Sequence, residues 1–164
     1  MSLSCRHFFL LLWLSCIFLM VTALYMQYFL DLVPCALCMT QRVFVIAVGI
    51  VALVAWLHQA TPVGIKIYAV VGALMAIIGG GFSLRHLWLQ SLPEELVPAC
   101  GPSLSYLLET FPILEALKLL LQGDGSCAES LWAFIGITIP GWTLVAFAGL
   151  LSINCWIVYK SSNS

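Results

Sequence analysis

The sequence predicts an all-α membrane protein: a bundle of four transmembrane helices with one long outer loop carrying a short amphipathic helix. Three observations predict it. Of 164 residues, 63% are hydrophobic and 8% charged, against roughly 45–50% and about 25% in soluble domains. The apolar residues arrive in four long runs, as a bilayer requires. The polar connections between runs hold every acidic residue and four of the seven cysteines. A formal net charge of -1 leaves no basic patch to neutralise phosphates, which excludes a nucleic-acid partner.

The first run, Phe8 to Leu30, has 23 residues, enough to cross a hydrocarbon core of about 30 Å. It is longer than a signal-peptide core and no Ala-x-Ala-type site follows it, so it is predicted to remain in the mature protein. The second span, about 41–58, is uncharged after Arg42. The third, about 67–86, is apolar from Ile67 to Leu84 and closes on Arg85 and His86, and the fourth covers about 140–159. Four spans in a single membrane domain, 1–164, put both termini on one side. Arg6, Lys66 and Lys160 share that side. All seven acids fall on the other, where Lys118 is the only basic residue well clear of a span. The positive-inside rule then assigns both tails to the cytoplasm and the segments at about 31–40 and 87–139 to the exterior. In the longer segment Leu104, Leu107, Leu108, Phe111, Leu114, Leu117 and Leu121 recur at helical spacing. They predict an amphipathic helix, interrupted or kinked at Pro112, lying on the bilayer surface. Trp88, Trp132 and Trp142 near the outer boundary fit an aromatic belt.

The seven cysteines divide by position. Cys5, Cys16 and Cys155 lie in or beside apolar runs, where cysteine behaves as a small inert hydrophobe. Cys35, Cys38, Cys100 and Cys127 lie in the outer connections, on the side where disulfides persist. Cys35-Ala36-Leu37-Cys38 is a Cys-x-x-Cys motif just before or at the start of the second span, a spacing used for zinc or for dithiol–disulfide cycling. Met39 stands where c-type haem attachment needs histidine. Zinc with Cys100 and Cys127 as the second pair is disfavoured, because 26 residues separate those two and structural zinc ligands come in close pairs. No metal is expected. Two purely structural disulfides would stabilise the outer loop, but a staple has no need of an arginine at the membrane surface. Arg42 follows Cys38 by four residues, so on a helix the two share a face. A guanidinium and a helix N-terminus both favour the thiolate, which marks Cys38 as the nucleophile toward a membrane-soluble acceptor. Read alone, Arg42 would be a helix-end residue snorkelling to the headgroups. His86 and Arg85 can both donate hydrogen bonds to an oxygen that gains negative charge. The triplet Gly79-Gly80-Gly81 below them allows close approach of a helix or of a flat ring.

Taken together, Pro34-Cys35-x-Leu37-Cys38-x-x-x-Arg42, then Cys100, then Cys127-Ala128-Glu129-x-x-Trp132-x-Phe134-x-Gly136-x-x-x-Pro140-x-Trp142 resemble the bacterial disulfide bond formation protein B (DsbB) family, quinone-dependent thiol oxidases of the inner membrane. The resemblance covers nearly the whole chain. It implies a protein-disulfide oxidoreductase with two disulfides, Cys35–Cys38 and Cys100–Cys127. By resemblance, Cys100 and Cys127 meet a periplasmic thioredoxin-fold partner similar to DsbA, whose thiolate attacks Cys100. Cys127 then attacks Cys35, and Cys38 passes the electrons to ubiquinone or menaquinone beside Arg42 and His86. Where some relatives place an acid before the arginine, this chain has Gln41.

Two rivals stay open on the sequence. Quinone reductases of the vitamin K epoxide reductase type also combine four cysteines with a four-helix bundle, but their Cys-x-x-Cys lies in the final span rather than before the second. A non-catalytic membrane scaffold held by two disulfides is the other.

Overall fold

A computed structural model of the chain describes residues 3–58, 61–93, 110, 112, 114, 115 and 133–162. Within them the architecture is four long helices: α1 (Leu3–Phe29), α2 (Ala36–Leu57), α3 (Pro62–Gln90) and α4 (Ile139–Ser162). Each is long and apolar enough to cross a membrane. A two-stranded antiparallel hairpin, β1 (Ala133–Phe134) and β2 (Ile137–Thr138), precedes α4. The protein is a multi-pass membrane bundle.

The helices pack through heptad seams. In α3 the buried positions are Ile65, Ala69, Gly72, Ala76, Gly79, Ser83 and His86, with Phe82 and Leu89 beside them. In α2, Gln41, Val45, Val48, Ala52 and Ala55 follow the same alternation of four and three. In α4 the series is Phe147, Leu150, Asn154, Ile157 and Ser161. This is the repeat of helices packed knobs into holes. Small residues carry it, as expected where lipid gives no hydrophobic drive between helices. A Cβ on Gly79 would sit 2.4 Å from Phe147 Cε1 and Cζ, and one on Gly72 would sit 2.6 Å from Asn154 Oδ1. Gly79 is therefore the socket for the Phe147 ring, while a Cβ on Gly81 would meet nothing within 4 Å. The outward faces are as apolar as the seam: Phe18, Val43 and Ile77 are all more than half exposed, a surface suited to acyl chains rather than water.

The helices overrun the apolar runs, because hydropathy detects only the part inside the hydrocarbon. α3 starts at Pro62, at its first position, with Thr61 as N-cap accepting from Gly64 N at 3.3 Å; both are standard start signals. α2 starts at Ala36 with Cys35 as N-cap, five residues before the predicted span. The connection from α1 is correspondingly short and turns through Asp31, at φ 50. The hairpin was not anticipated. Its turn residues Ile135 and Gly136 have φ 55 and 76, as a two-residue type I′ turn requires. Its docking is anchored by Trp142 Nε1 donating to Phe134 O at 3.3 Å and by Thr138 Oγ1 donating to Gln90 Oε1 at 2.8 Å. The amphipathic helix expected between Leu104 and Leu121 lies largely outside the described residues, as do Lys118 and Trp132.

The two ends of the bundle differ. At one end Arg6 sits over the Trp56 ring at 5.3 Å and Lys160 over Phe8 at 5.6 Å. Ser161 Oγ donates to Pro62 O at 3.2 Å, one turn from Lys66. Three cations thus gather there. The opposite end holds the Cys-x-x-Cys motif.

Candidate active site

The local geometry follows from Pro34 and the helix start. The residue before a proline is pushed to extended backbone and Cys35 itself is extended at φ -73, ψ 171, so the chain turns into α2 at the first cysteine. Met39 N donates to Cys35 O at 3.0 Å. Cys35 is the N-cap, and Cys38 closes the first turn, where unpaired backbone N–H groups and the helix dipole favour negative charge. Both cysteines are half-buried.

His86 of α3 reaches this pair. Its Nε2 lies 3.8 Å from Cys35 Sγ and its Nδ1 3.9 Å from Cys38 Sγ. The ring is only 3% exposed. Behind it, Gln41 Nε2 donates to Nδ1 at 3.5 Å. With Nδ1 accepting, a neutral ring carries its proton on Nε2, facing Cys35. Gln41 is held in turn from α4: Thr143 Oγ1 lies 3.0 Å from Gln41 Oε1, 2.9 Å from Pro140 O and 3.2 Å from Ser83 Oγ. Its single proton serves one of these oxygens at a time. Among the described residues no buried side-chain nitrogen or oxygen lacks a partner. Interhelical hydrogen bonds in membranes average only about 0.6 kcal/mol, so this cluster adds little stability. Buried polar and ionisable groups within a span are by default functional.

Arg42 lies one turn below Cys38. It is held from α1: Nη1 donates to Gln27 Oε1 and Nη2 to Ala23 O at 3.2 Å, with Met39 Sδ at 3.9 Å from Nη1. The guanidinium is thus anchored between α1 and α2 rather than extended to the headgroups. Arg85 diverges from its neighbour His86, since consecutive helical residues point about 100° apart; its guanidinium stacks on Trp88 at 4.1 Å.

Cys35, Cys38, Arg42 and His86 line a single cleft with about 940 Å³ of unfilled space, part of it open to the surroundings. Its walls are apolar, with Leu19, Met20, Ala23 and Met26 from α1, Val45 from α2, and Ile139, Pro140 and Ala146 from α4. An apolar cleft with a few convergent polar groups is the usual form of a small-molecule site. Cys100 and Cys127 lie outside the described residues. Gln27, Ser83 and Thr143 were not singled out from sequence. Each is a polar residue inside an apolar run, and that is the signal that could have found them.

A membrane bundle that gathers two thiols and an imidazole over an apolar cleft belongs to the class of multi-pass thiol–disulfide proteins. The family model described as Disulfide bond formation protein DsbB matches residues 5–157. Among proteins named Disulfide bond formation protein B, the chain is 50% identical to that of Saccharophagus degradans over 153 residues, covering 93% of this chain and 92% of the relative. It is 49% identical to that of Nitrosococcus oceani over 156 residues, with 95% and 92% covered, and 47% identical to that of Hahella chejuensis, with 92% of each covered. The chain belongs to the DsbB family, and it is a disulfide-forming membrane protein, a protein-disulfide oxidoreductase.

Proposed function

We propose that the chain reoxidises a periplasmic thioredoxin-fold thiol oxidase and delivers the electrons, through Cys100–Cys127 and then Cys35–Cys38, to a membrane quinone. The observation that carries this is the cleft itself: two thiols, Arg42 and His86 line one apolar space open to the surroundings. The residues fit a flat, lipid-soluble dicarbonyl ring, which needs apolar walls and donors at its oxygens. Arg42 and His86 would hold it. When bound, the quinone supplies a two-electron, two-proton acceptor.

The chain's own residues would act as follows. The partner's thiolate attacks Cys100, forming a mixed disulfide and releasing Cys127 as thiolate. The partner's second thiolate resolves that bond and leaves as part of a disulfide. Cys127 attacks Cys35 of the Cys35–Cys38 disulfide and expels Cys38 as thiolate at the N-terminus of α2. Cys100 then closes on Cys127, freeing Cys35. Each step is exchange at a disulfide sulfur and needs access and a competent thiolate. His86, within 3.9 Å of both sulfurs, takes and returns the thiol protons. Two electrons and two protons leave the partner for each disulfide made. The cluster of Arg6, Lys66 and Lys160 at the opposite end supports a cytoplasmic position for both tails and a periplasmic one for the cysteines, in the inner membrane.

The test is turnover of purified protein with quinone and a reduced thioredoxin-fold partner. Quinone-dependent oxidation of the partner that is lost in Cys38→Ser is expected; full turnover in that variant would refute the relay. The cysteine motif at the head of α2, rather than in the last helix, separates this reading from the vitamin K epoxide reductase type.

A further inference from the structure

We propose that Cys35, Cys38 and His86 also form a binding site for a thiophilic metal ion of the Zn²⁺ class, one that exists only while the two cysteines are thiols. One ligand atom from each lies within 4.8 Å of the other two. Zinc bonds of about 2.3 Å to sulfur and about 2.0–2.1 Å to nitrogen place S and N roughly 3.6 Å apart across a tetrahedral angle. The closest sulfur–nitrogen approaches here are 3.8 and 3.9 Å, to opposite ring nitrogens, so a small turn of the imidazole brings one nitrogen to both sulfurs. Three protein ligands beside a cleft leave the fourth position open, the form of a reactive rather than a structural zinc site. The cleft also supplies the entry path. Arg42, the nearest cation along α2, is directed to α1.

Binding here is not a redox step. Each thiol gives its proton to solvent, two sulfur–metal bonds form, and the ion stays divalent. A Cys35–Cys38 disulfide consumes both sulfur ligands, so metal and disulfide exclude one another, and a bound ion holds the pair reduced. This proposal does not depend on quinone being the electron acceptor.

The experiment uses the full chain in detergent with Cys100→Ser, Cys127→Ser and Cys155→Ser, reduced and then freed of reductant without air. Equilibrium dialysis against Zn²⁺ is expected to retain one ion per chain, and Co²⁺ in its place to give thiolate charge-transfer absorption. His86→Ala should weaken binding by at least the roughly 10–100-fold that loss of an outer-shell partner costs. Cys38→Ser and, separately, Cys35→Ser should abolish the Co²⁺ band, and closing the disulfide with diamide should release the ion. No retained Zn²⁺ in the reduced chain overturns the proposal. So does retention unchanged in His86→Ala, or in both serine variants, which would place the ion elsewhere.

Discussion

The two halves of the bundle use one packing register for opposite purposes. Toward the end that carries Arg6, Lys66 and Lys160, the seam positions are Val48, Ala52, Ala55, Ile65 and Ala69, with Cys5 and Cys16 buried among them. Toward the other end the same register continues through Gln41, Ser83 and His86, and there the cysteines are half-buried and border a cleft. Cys16 and Cys38 are chemically the same residue, yet only Cys38 has an imidazole beside it and a path for a ligand. Seam position fixes burial; the neighbouring helices decide whether a buried position packs or reacts.

The largest effect is expected at Cys38. Cys38→Ser should lower quinone-dependent oxidation of a thiol partner by at least about a thousandfold, since it removes the nucleophile that faces the acceptor. His86→Ala should lower the same rate by about 10²-fold, the lower range for a proton-transfer group, with the protein still inserted and folded. Arg42→Met should raise the quinone concentration needed for half-maximal rate by about tenfold, the equivalent of one charge-assisted hydrogen bond of about 1.5 kcal/mol. Gln27→Leu should move that concentration in the same direction but by less, because it loosens the guanidinium without removing it. An unchanged half-saturation in both variants would separate Arg42 from the acceptor. In the packing seam, Gly79→Val should cost about 1–3 kcal/mol from overpacking against Phe147, seen as a lower melting temperature in detergent. Cys16→Ala should leave turnover within about twofold, because Cys16 is an inert core thiol.

How much of this was legible in the sequence depends on how local the signal is. The four spans were visible because each apolar run carries its own evidence. The start of α2 at Ala36 was missed because Met39, Thr40 and the motif itself lie outside the hydrocarbon-like run, and the β1–β2 hairpin because its strands have two residues each. His86 was singled out through its neighbour Arg85, and the structure separates them: His86 turns to Cys35 and Cys38, Arg85 to Trp88. Gln27, Thr143 and Ser83 belong to three different helices, and only their packing brings Gln27 to Arg42, Thr143 to Gln41 and Ser83 to Thr143. No spacing along the chain encodes that.

The most direct test of the account concerns the cysteine end alone. The chain with Cys100→Ser and Cys127→Ser, reduced and mixed with a single equivalent of quinone without air, isolates Cys35 and Cys38 from any partner. One Cys35–Cys38 disulfide and one quinol per chain are expected. Persistence of both thiols, with the quinone unreduced, would contradict this.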